Sequence, residues 1–394
     1  PGPLHGVKVL DISIALTGPY AAALMADQGA EVIKVERPDI GDIARYVGVA
    51  VNGMSSLYLV CNRGKRGIAV DLQTPEGVDI VRRLAADADV VIQNYRPGVM
   101  ERLGLGYDDI KNANPDIVYA SLSGFGPTGP YRDRSAYDTV MQAYAGLATN
   151  QADPDDGVPT FLRQTAADKV TALYASQAIT AALFARAQGC GGQHLELSMT
   201  DAVVSFLWAD AAANEVLMES DGSQNSSFVA GFRPMRFADG WGIVTPTSDH
   251  DFAGMCRAVG AKGYDDPRIA TVAERIKNRD VLSPVMDMVY ALAANLTMEE
   301  ATERFEAERV PFAMILSPEQ LTRDPHAVAM GLFVEADHPV VGRTRLPRHP
   351  AQFEGTPATI TGGSPALGEH TDEILSELGM GDRIAALRSE GIVA

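Results

Sequence analysis

The chain has 394 residues, a formal net charge of −18 and a hydrophobic content of 46%. This length allows two domains, and the composition is typical of a globular protein with many turns. The negative charge argues against a general nucleic-acid or anionic-membrane surface, so we expect neither partner. Three scattered cysteines and the absence of a leader favour a reducing, cytoplasmic location, and seven histidines without ligand spacing predict no metal site.

The charge is unevenly spread along the chain. Residues 1–140 carry 14 basic and 17 acidic side chains, a net of −3, whereas the remaining residues carry a net of −15. The N-terminal part is therefore the better host for an anionic ligand, and the acidic remainder is interpreted as solvated surface.

The first half of the sequence alternates predicted strands and helices. Apolar runs predict strands at 7–12, 31–36, 67–71, 89–93, 117–122 and 194–198. Helical patterns lie between some of these strands, at 18–28, at 75–87 and after Thr165. Strands joined through helices indicate right-handed crossovers and a parallel sheet, with ligands at the carboxyl ends of the strands.

After residue 206 the pattern changes. A polar connection covers 214–232, a hairpin is predicted at 234–247, helical segments fill 250–325, and an extended, proline-rich stretch from about 340 leads to C-terminal helices. The predicted fold class is therefore α/β, with a Rossmann-like parallel sheet in a large domain and an inserted smaller α+β domain. The large domain comprises 1–215 with 330–394 and the small one 225–325, with linkers near 215–225 and 325–345.

Known nucleotide and hydrolase motifs are absent. The first turn, residues 12–20, lies where a dinucleotide fingerprint would lie, but it contains only Gly18 followed by Pro19 instead of G-x-G-x-x-G. A nicotinamide or flavin enzyme is therefore disfavoured. A P-loop and a G-x-S-x-G elbow are also missing, which removes support for ATP hydrolysis and serine hydrolase chemistry.

Basic residues gather around successive strands of the first third. They are Arg37, Arg63, Lys65, Arg66, Arg96, Arg102, Arg132 and Arg134. Because loops at one edge of a parallel sheet converge, several of these side chains can face one polyphosphate. The alternative is that they are ordinary solvated side chains of surface loops.

One carboxylate, Asp168, begins a long helix that is otherwise nearly uncharged. A carboxylate that faces an apolar surface can serve as a nucleophile or a proton carrier. Thr165 and Asp168 also have the spacing of a capping box, in which both side chains satisfy helix amides. On spacing alone the capping role is favoured.

Several long segments resemble the family III CoA-transferases, the group that includes formyl-CoA and carnitine CoA-transferases and the related α-methylacyl-CoA racemases. The matching segments are LDISIALTGPYAAALMADQGAEVIKVERPDIGD, RGKRGIAVDLQTPEG, VVIQNYRPGVMERLGLGYDDI, ASLSGFGPTGPYRDRSAYDTVMQAYAGL and GGQHLELSMTDAV. Their order and spacing hold from Leu4 to Ala202, and weaker similarity covers most of the remaining chain. The resemblance is specific for the family and not for the substrate.

The resemblance implies transfer of CoA from an acyl-CoA donor to a small carboxylic acid through a covalent intermediate on Asp168. It implies CoA contacts at Leu16, Thr17, Arg37, Leu72, Asn94, Tyr95, Arg96, Arg102, Tyr137 and Asp138. Coenzyme A is then substrate and product, with no permanently bound cofactor. Two chains are expected to interlock as a homodimer, and backbone amides near Gly18 and Gly231 are the expected oxyanion donors.

Two departures from the family pattern bear on the reaction. The racemases have a histidine where this chain has Tyr137, which argues for transfer because epimerising an α-carbon needs proton carriers on both faces. The formyl-CoA type has a glutamine where this chain has Leu16 and a glycine run where only Gly231 is present, so formyl-CoA and oxalate are not expected as substrates. An acyl-CoA racemase or isomerase and a non-catalytic CoA-binding protein are the alternatives.

Overall fold

The structure is a computed structural model that describes residues 1–153, 156–219 and 232–394. The chain divides into two units, Pro1–Ala212 with Gly331–Ala394 and Ala213–Met330. Much of the connection predicted at 214–232, including Gly231, lies outside the described residues.

Strands occur in both units. In chain order they are β1 (Lys8–Asp11), β2 (Glu31–Glu36), β3 (Ala50–Val51), β4 (Met54–Ser55), β5 (Lys65–Ala69), β6 (Val90–Gln93), β7 (Val118–Ser123), β8 (Gln193–Ser198), β9 (Met235–Arg236), β10 (Trp241–Val244), β11 (Phe312–Met314), β12 (Phe333–His338) and β13 (Gly342–Pro347).

Helices account for the largest share of the regular structure in the described chain. In chain order they are α1 (Thr17–Asp27), α2 (Ser56–Asn62), α3 (Pro75–Ala86), α4 (Val99–Arg102), α5 (Tyr107–Ala113), α6 (Asp138–Tyr144), α7 (Leu147–Asn150), α8 (Ala166–Ala185), α9 (Met199–Trp208), α10 (Ala213–Val216), α11 (Asp249–Val259), α12 (Val272–Lys277), α13 (Arg279–Ala293), α14 (Met298–Ala307), α15 (Pro318–Leu321), α16 (Pro325–Ala329), α17 (Thr371–Glu377) and α18 (Ile384–Ser389). Among the described residues, none of these helices combines the length and apolar character that a bilayer-spanning segment needs.

The predicted parallel sheet is confirmed. Six strands lie in the order β5-β2-β1-β6-β7-β8, and every neighbouring pair is parallel. Numbered within the sheet, this order is 3-2-1-4-5-6, which is that of the doubly wound dinucleotide-binding folds. The strand order reverses between β1 and β6, and ligands of such sheets bind in the crevice at the carboxyl ends there.

Alternate residues of the central strands enter two separate cores. Leu10 and Val91 face one layer, which contains side chains of α3, α5, α17 and α18, whereas Val9 and Ile92 face another, built from α1 and α8. Strands covered on both faces favour apolar side chains at most positions. The continuous apolar runs in the sequence follow from this two-sided burial.

The third strand of the sheet begins earlier than the sequence indicates. We predicted residues 67–71, but β5 covers Lys65–Ala69. The apolar pattern does not include Lys65 because a lysine normally lies outside a core. Here the Lys65 amine lies 2.7 Å from the fully buried carboxylate of Asp11, so ion pairing places a charged residue inside the strand.

The second unit has its own small sheet. The predicted hairpin is confirmed as the antiparallel pair β9–β10, but β11 adds a third strand where only helices were predicted. This strand is short, and its Phe312 ring stacks on Phe305 of α14 at a centroid distance of 4.8 Å. Packing against the helices, rather than a period-2 pattern, therefore determines β11.

An unpredicted hairpin follows the second unit and overlaps the start of the proline-rich stretch. Strands β12 and β13 are antiparallel, and Glu335 on one strand pairs with Arg343 and Arg345 on the other, at 2.5 and 2.6 Å. These cross-strand pairs stabilise an exposed ribbon that has little apolar alternation.

A buried ion pair connects the last residue of α1 to the residue that directly follows α2. The guanidinium of Arg63 donates to both carboxylate oxygens of Asp27, at 2.9 and 2.6 Å, and both side chains are almost fully buried. Arg63→Ala should lower the free energy of unfolding by about 3–5 kcal/mol, because it leaves a buried carboxylate unpaired. Urea denaturation followed by circular dichroism measures this loss.

The exposed pair of Arg83 with Asp79 on α3 provides the control. Arg83→Ala should cost less than about 1 kcal/mol, since exposed pairs contribute little. Equal losses in the two variants would contradict a special role for the buried pair.

Candidate active site

The turn between β1 and α1 is tightly packed. The Ser13 hydroxyl donates to Asp11, and a Cβ atom at Gly18 would lie 2.2 Å from the Ser13 oxygen, so this position requires glycine. Ala15 has a positive φ of 66°, and its backbone N–H donates to Asp42 at 2.9 Å. The turn is thus held in one shape by side chains beneath it.

Asn94, which follows β6, hydrogen-bonds the backbone of this turn from the other side of the crevice. Its side-chain oxygen accepts from the Ile14 N–H at 2.8 Å, and its amide nitrogen donates to the Ile14 carbonyl at 2.7 Å. Both amide groups are therefore taken by the backbone. Asn94 joins the two loops at the point where the strand order reverses.

A group of buried charges lies beneath the turn. The Lys34 amine is 2.9 Å from Asp42 and 3.9 Å from Asp11, and all three side chains are fully buried. Asp11 also binds Lys65, whose pKa is lowered to about 8, mainly by burial and against the attraction of Asp11. Because these charges neutralise one another, they position the turn and do not face a ligand.

Three of the basic residues predicted around the sheet are thereby excluded from a polyphosphate site. Arg63 and Lys65 are in the buried ion pairs described above, and Arg66 pairs with Glu373 and Glu377 of α17 at 2.6 and 2.7 Å. The physical reason is that they precede or begin β5. They therefore belong to the amino end of a parallel strand, opposite the edge where ligands bind.

The basic residues that follow strands are exposed. Arg37 follows β2 and pairs with Asp39 of its own loop at 2.8 Å, and Arg96 follows β6 and donates to Ser135 at 2.6 Å. Arg102 ends α4 in the same connection and is also exposed.

Two further arginines follow β7. Arg134 lies over the Tyr131 ring, and the Arg132 side chain is 3.5 Å from the carboxylate of the adjacent Asp133. These side chains remain accessible to an anionic ligand.

Asp168 lies in the first turn of α8, and its carboxylate contacts the start of α1. The Thr17 hydroxyl donates to Asp168 Oδ1 at 2.5 Å, and Thr17 is the first residue of α1. Asp168 is half-buried. The structure therefore brings together two residues that are 151 positions apart at the edge of the sheet.

The predicted capping box at this helix is wrong. Thr165 is the N-cap residue, but its ψ of 67° is not extended and its side chain makes no capping hydrogen bond. The Asp168 N–H instead donates to the carboxylate of Asp138 at 3.1 Å. An acid from α6 performs the capping, which leaves the Asp168 carboxylate free to point elsewhere.

Asp138 and Gln142 fix the segment that leads into α8. The Gln142 amide nitrogen donates to Asp138 at 2.5 Å and to the Gln164 carbonyl at 3.0 Å, while its oxygen accepts from Leu162 N–H at 3.0 Å. Asp138 is only 7% exposed. Gln142 was missed in the sequence, although its position four residues after Asp138 on one helix was a usable signal.

The environment of Asp168 changes its acidity. The pKa of this carboxyl is raised to about 6: burial raises it most, the hydrogen bond from Thr17 lowers it, and the negative charge of Asp138 raises it. A carboxylate that is poorly solvated but still ionised at neutral pH is a better nucleophile than one in water.

The remaining predicted positions lie around the same edge. Leu16 is buried in the first turn, Leu72 and Tyr95 are half-buried against the core, and Tyr137 is 75% exposed immediately before Asp138. Within the described residues, Tyr137 makes no hydrogen bond to Asp168. Asp42 was not predicted, although it lies in the DIGD segment that the resemblance covers.

Comparisons with known proteins identify the family. The profile of CoA-transferase family III matches residues 4–371. The chain belongs to CoA-transferase family III. It is 34% identical over 403 residues to the succinyl-CoA:glutarate CoA-transferase of Homo sapiens, covering 99% of this chain and 90% of that protein.

Two further relatives show how widely this similarity extends. A formyl-CoA:oxalate CoA-transferase of Bradyrhizobium diazoefficiens is 31% identical, with 99% of this CoA-transferase and 97% of the relative covered. The crystal structure of a CAIB/BAIF family protein from Brucella suis has a TM-score of 0.83 and 32% identity, covering 96% of this chain and 99% of that chain. The recognised family and its enzymatic class are therefore confirmed along the whole chain.

The pKa of Asp168 predicts how this CoA-transferase responds to pH. If only the ionised carboxylate attacks, kcat/KM for the acyl-CoA donor should rise with pH through about 6 and be roughly tenfold below its plateau at pH 5. Initial rates over pH 4.5–8.5, a range of about four units chosen around this pKa, measure the profile.

A 3′-dephospho donor is the control, because a phosphate monoester also titrates near pH 6. The acid limb should persist with this donor. Its disappearance would assign the limb to the substrate rather than to Asp168.

Proposed function

We propose that the chain transfers CoA from an acyl-CoA donor to a carboxylic acid acceptor, with Asp168 as the covalent nucleophile. The observation that carries this proposal is the half-buried Asp168 carboxylate, held by Thr17 at the carboxyl edge of the sheet with its pKa near 6. Such a group is ionised at neutral pH and incompletely solvated. Both properties favour attack on a thioester carbonyl.

The reaction divides into two related halves. The Asp168 carboxylate attacks the donor thioester and expels CoA thiolate, which forms a mixed anhydride. The thiolate then attacks the aspartyl carbonyl, releases the donor acid and leaves CoA on Asp168 as a thioester. The acceptor carboxylate repeats these steps in reverse, so the thioester energy is conserved without ATP.

The exposed cations after the strands are the proposed phosphate ligands of CoA. Arg37, Arg96 and Arg102 follow β2 and β6, and charge-assisted hydrogen bonds from such residues are stronger than neutral ones. Leu72 after β5 is assigned to the adenine, and Tyr95 and Tyr137 to contacts along the CoA chain. Asn94 and Asp138, whose side chains are engaged within the protein, position the loops that bind it.

The acceptor is proposed to be a short dicarboxylic acid. The relatives described above are named for the pairs succinyl-CoA with glutarate and formyl-CoA with oxalate, and both acceptors are dicarboxylic acids. The substitution of Leu16 for glutamine favours the larger pair. Succinyl-CoA with glutarate is therefore the first pair to assay.

The proposed working unit is a homodimer whose chains interlock, with a smaller domain inserted in the larger one. Helices α8 and α9 support an interface because they expose large apolar side chains. These are Leu173, Tyr174, Phe184, Phe206 and Trp208. Exposed large apolar side chains that are grouped on neighbouring helices are typical of a protein interface.

Asp168→Ala should reduce transfer at least about 1,000-fold without changing acyl-CoA affinity, because it removes the atom that forms the covalent bond. Asp168→Asn should behave alike while retaining an acceptor for the Thr17 hydroxyl. Mass spectrometry of the quenched wild-type protein with succinyl-CoA should show a CoA adduct on the peptide that contains Asp168, and both variants should lack it.

Asp201 provides a matched control, because it occupies the same position in α9 and accepts a hydrogen bond from the N-cap residue Ser198. Asp201→Asn should retain the adduct and the turnover. Substantial turnover in Asp168→Ala would reject the nucleophile. Solvent deuterium at the α-carbon of an acyl-CoA, without an acceptor, would instead indicate a racemase.

Arg37→Ala and Arg102→Ala should each raise KM for acyl-CoA by about tenfold and change kcat much less, because contacts far from the thioester bind ground state and transition state alike. Arg323→Ala on the second unit, which removes an exposed pair with Glu319, is the control. Unchanged KM in both test variants would mean that these arginines are only solvated surface.

A further inference from the structure

The two oxygens of the Asp168 carboxylate are not equivalent. Oδ1 accepts the hydrogen bond from the Thr17 hydroxyl at 2.5 Å, whereas Oδ2 has no hydrogen bond to a described residue. Thr17 is only 5% exposed, at the start of a helix whose position is fixed by the turn before it. The donor is therefore held in place before any substrate binds.

We propose that Thr17 is a catalytic residue whose hydroxyl assigns different tasks to these oxygens: Oδ2 attacks, and Oδ1 becomes the oxyanion that Thr17 stabilises. This assignment rests on the proposed function, because it requires a covalent intermediate at Asp168. It gives the Thr17 side chain a role beyond the CoA contact that the resemblance implies at this residue.

The first half-reaction uses the free oxygen. A bond forms between Oδ2 and the acyl carbon, the carbon–sulfur bond breaks, and CoA leaves as a thiolate. Oδ1 becomes the carbonyl oxygen of the aspartyl half of the anhydride and still accepts from Thr17. No proton is transferred, and the negative charge passes from the carboxylate to sulfur.

The second step places charge on Oδ1. The thiolate adds to the aspartyl carbonyl carbon, and the electron pair of the carbonyl moves to Oδ1. Collapse of this intermediate breaks the bond between the aspartyl carbon and Oδ2, and the donor acid leaves as a carboxylate. A hydroxyl already 2.5 Å from Oδ1 needs no reorganisation to stabilise that charge.

The same hydroxyl has an opposite effect before the first step. Its hydrogen bond favours the ionised form of Asp168 and partly offsets the effect of burial, which raises the pKa of that carboxyl. Loss of the donor should therefore move the acid limb of kcat/KM to higher pH and slow thiolate addition. A residue that only maintained packing would change neither quantity.

Thr17→Val removes the donor with little change in shape, and Thr17→Ser retains it. We expect kcat to fall about 100-fold in Thr17→Val, as for loss of other oxyanion donors, with KM for acyl-CoA changed less than about twofold. The acid limb should shift to higher pH. The CoA adduct on Asp168 should form correspondingly more slowly in rapid-quench mass spectrometry, and Thr17→Ser should recover most of the rate.

Thr171→Val is the matched control. Thr171 is fully buried in α8, and its hydroxyl donates to the Ala167 carbonyl at 2.7 Å, so the substitution also removes one buried hydrogen bond near Asp168. This variant should keep the wild-type rate and acid limb. Thermal melting of each variant verifies folding, and Thr17→Ala serves as a second donor-free variant if valine is not accommodated.

A Thr17→Val or Thr17→Ala enzyme that turns over like the Thr171→Val control, with an unshifted acid limb, would overturn the assignment. A different result would reject the proposed covalent role of Asp168 itself. In that case the wild-type enzyme would form no CoA adduct, and Asp168→Asn would transfer CoA as well as wild type. An adduct at the wild-type rate in both Thr17 variants would retain the nucleophile and reject only the role of Thr17.

Discussion

The rest of the structure depends on the buried amine of Lys34. It lies between Asp42 and Asp11, and Asp42 in turn accepts from the backbone of Ala15 in the first turn. Lys65 neutralises the second charge of the group. Removal of any one member leaves the group with one uncompensated buried charge. Such a charge typically destabilises a protein by about 3–5 kcal/mol. The shape of the turn is therefore linked to the stability of the sheet.

This constraint extends from the core to the carboxylate of Asp168. The buried charges fix the first turn from below, Asn94 fixes it from the side, and the turn places Thr17 at the start of α1. Thr17 then contacts Asp168, whose backbone is held independently by Asp138. The proposed nucleophile is thus held from two helices and is pre-organised, because its side chain and backbone are already positioned when substrate binds.

Sequence patterns predicted the parts of this structure that depend on local periodicity. The central strands were found because both of their faces are apolar, and Asp168 was singled out because few charges surround it in the sequence. The pattern could not predict contacts between residues that are distant in the sequence. Nothing local to Thr165 shows that Asp138 caps α8, and nothing local to Lys65 shows that Asp11 draws it into a strand. The sequence was enough to single out Asp168, but its hydrogen bonds to Thr17 and Asp138 are seen only in the folded structure.

The poor solvation of Asp168 also bears on the energetics of exchange. An ionised carboxylate in this environment is less stable than in water, as its raised pKa shows. In the proposed mechanism the anhydride and the enzyme thioester carry no charge on this side chain, so they do not incur that penalty. The free energy difference between resting and acylated protein is thereby reduced, whereas the overall free energy of exchange depends only on the two acids and their thioesters. Such a catalyst is reversible, and mass action of the two acids sets the net direction.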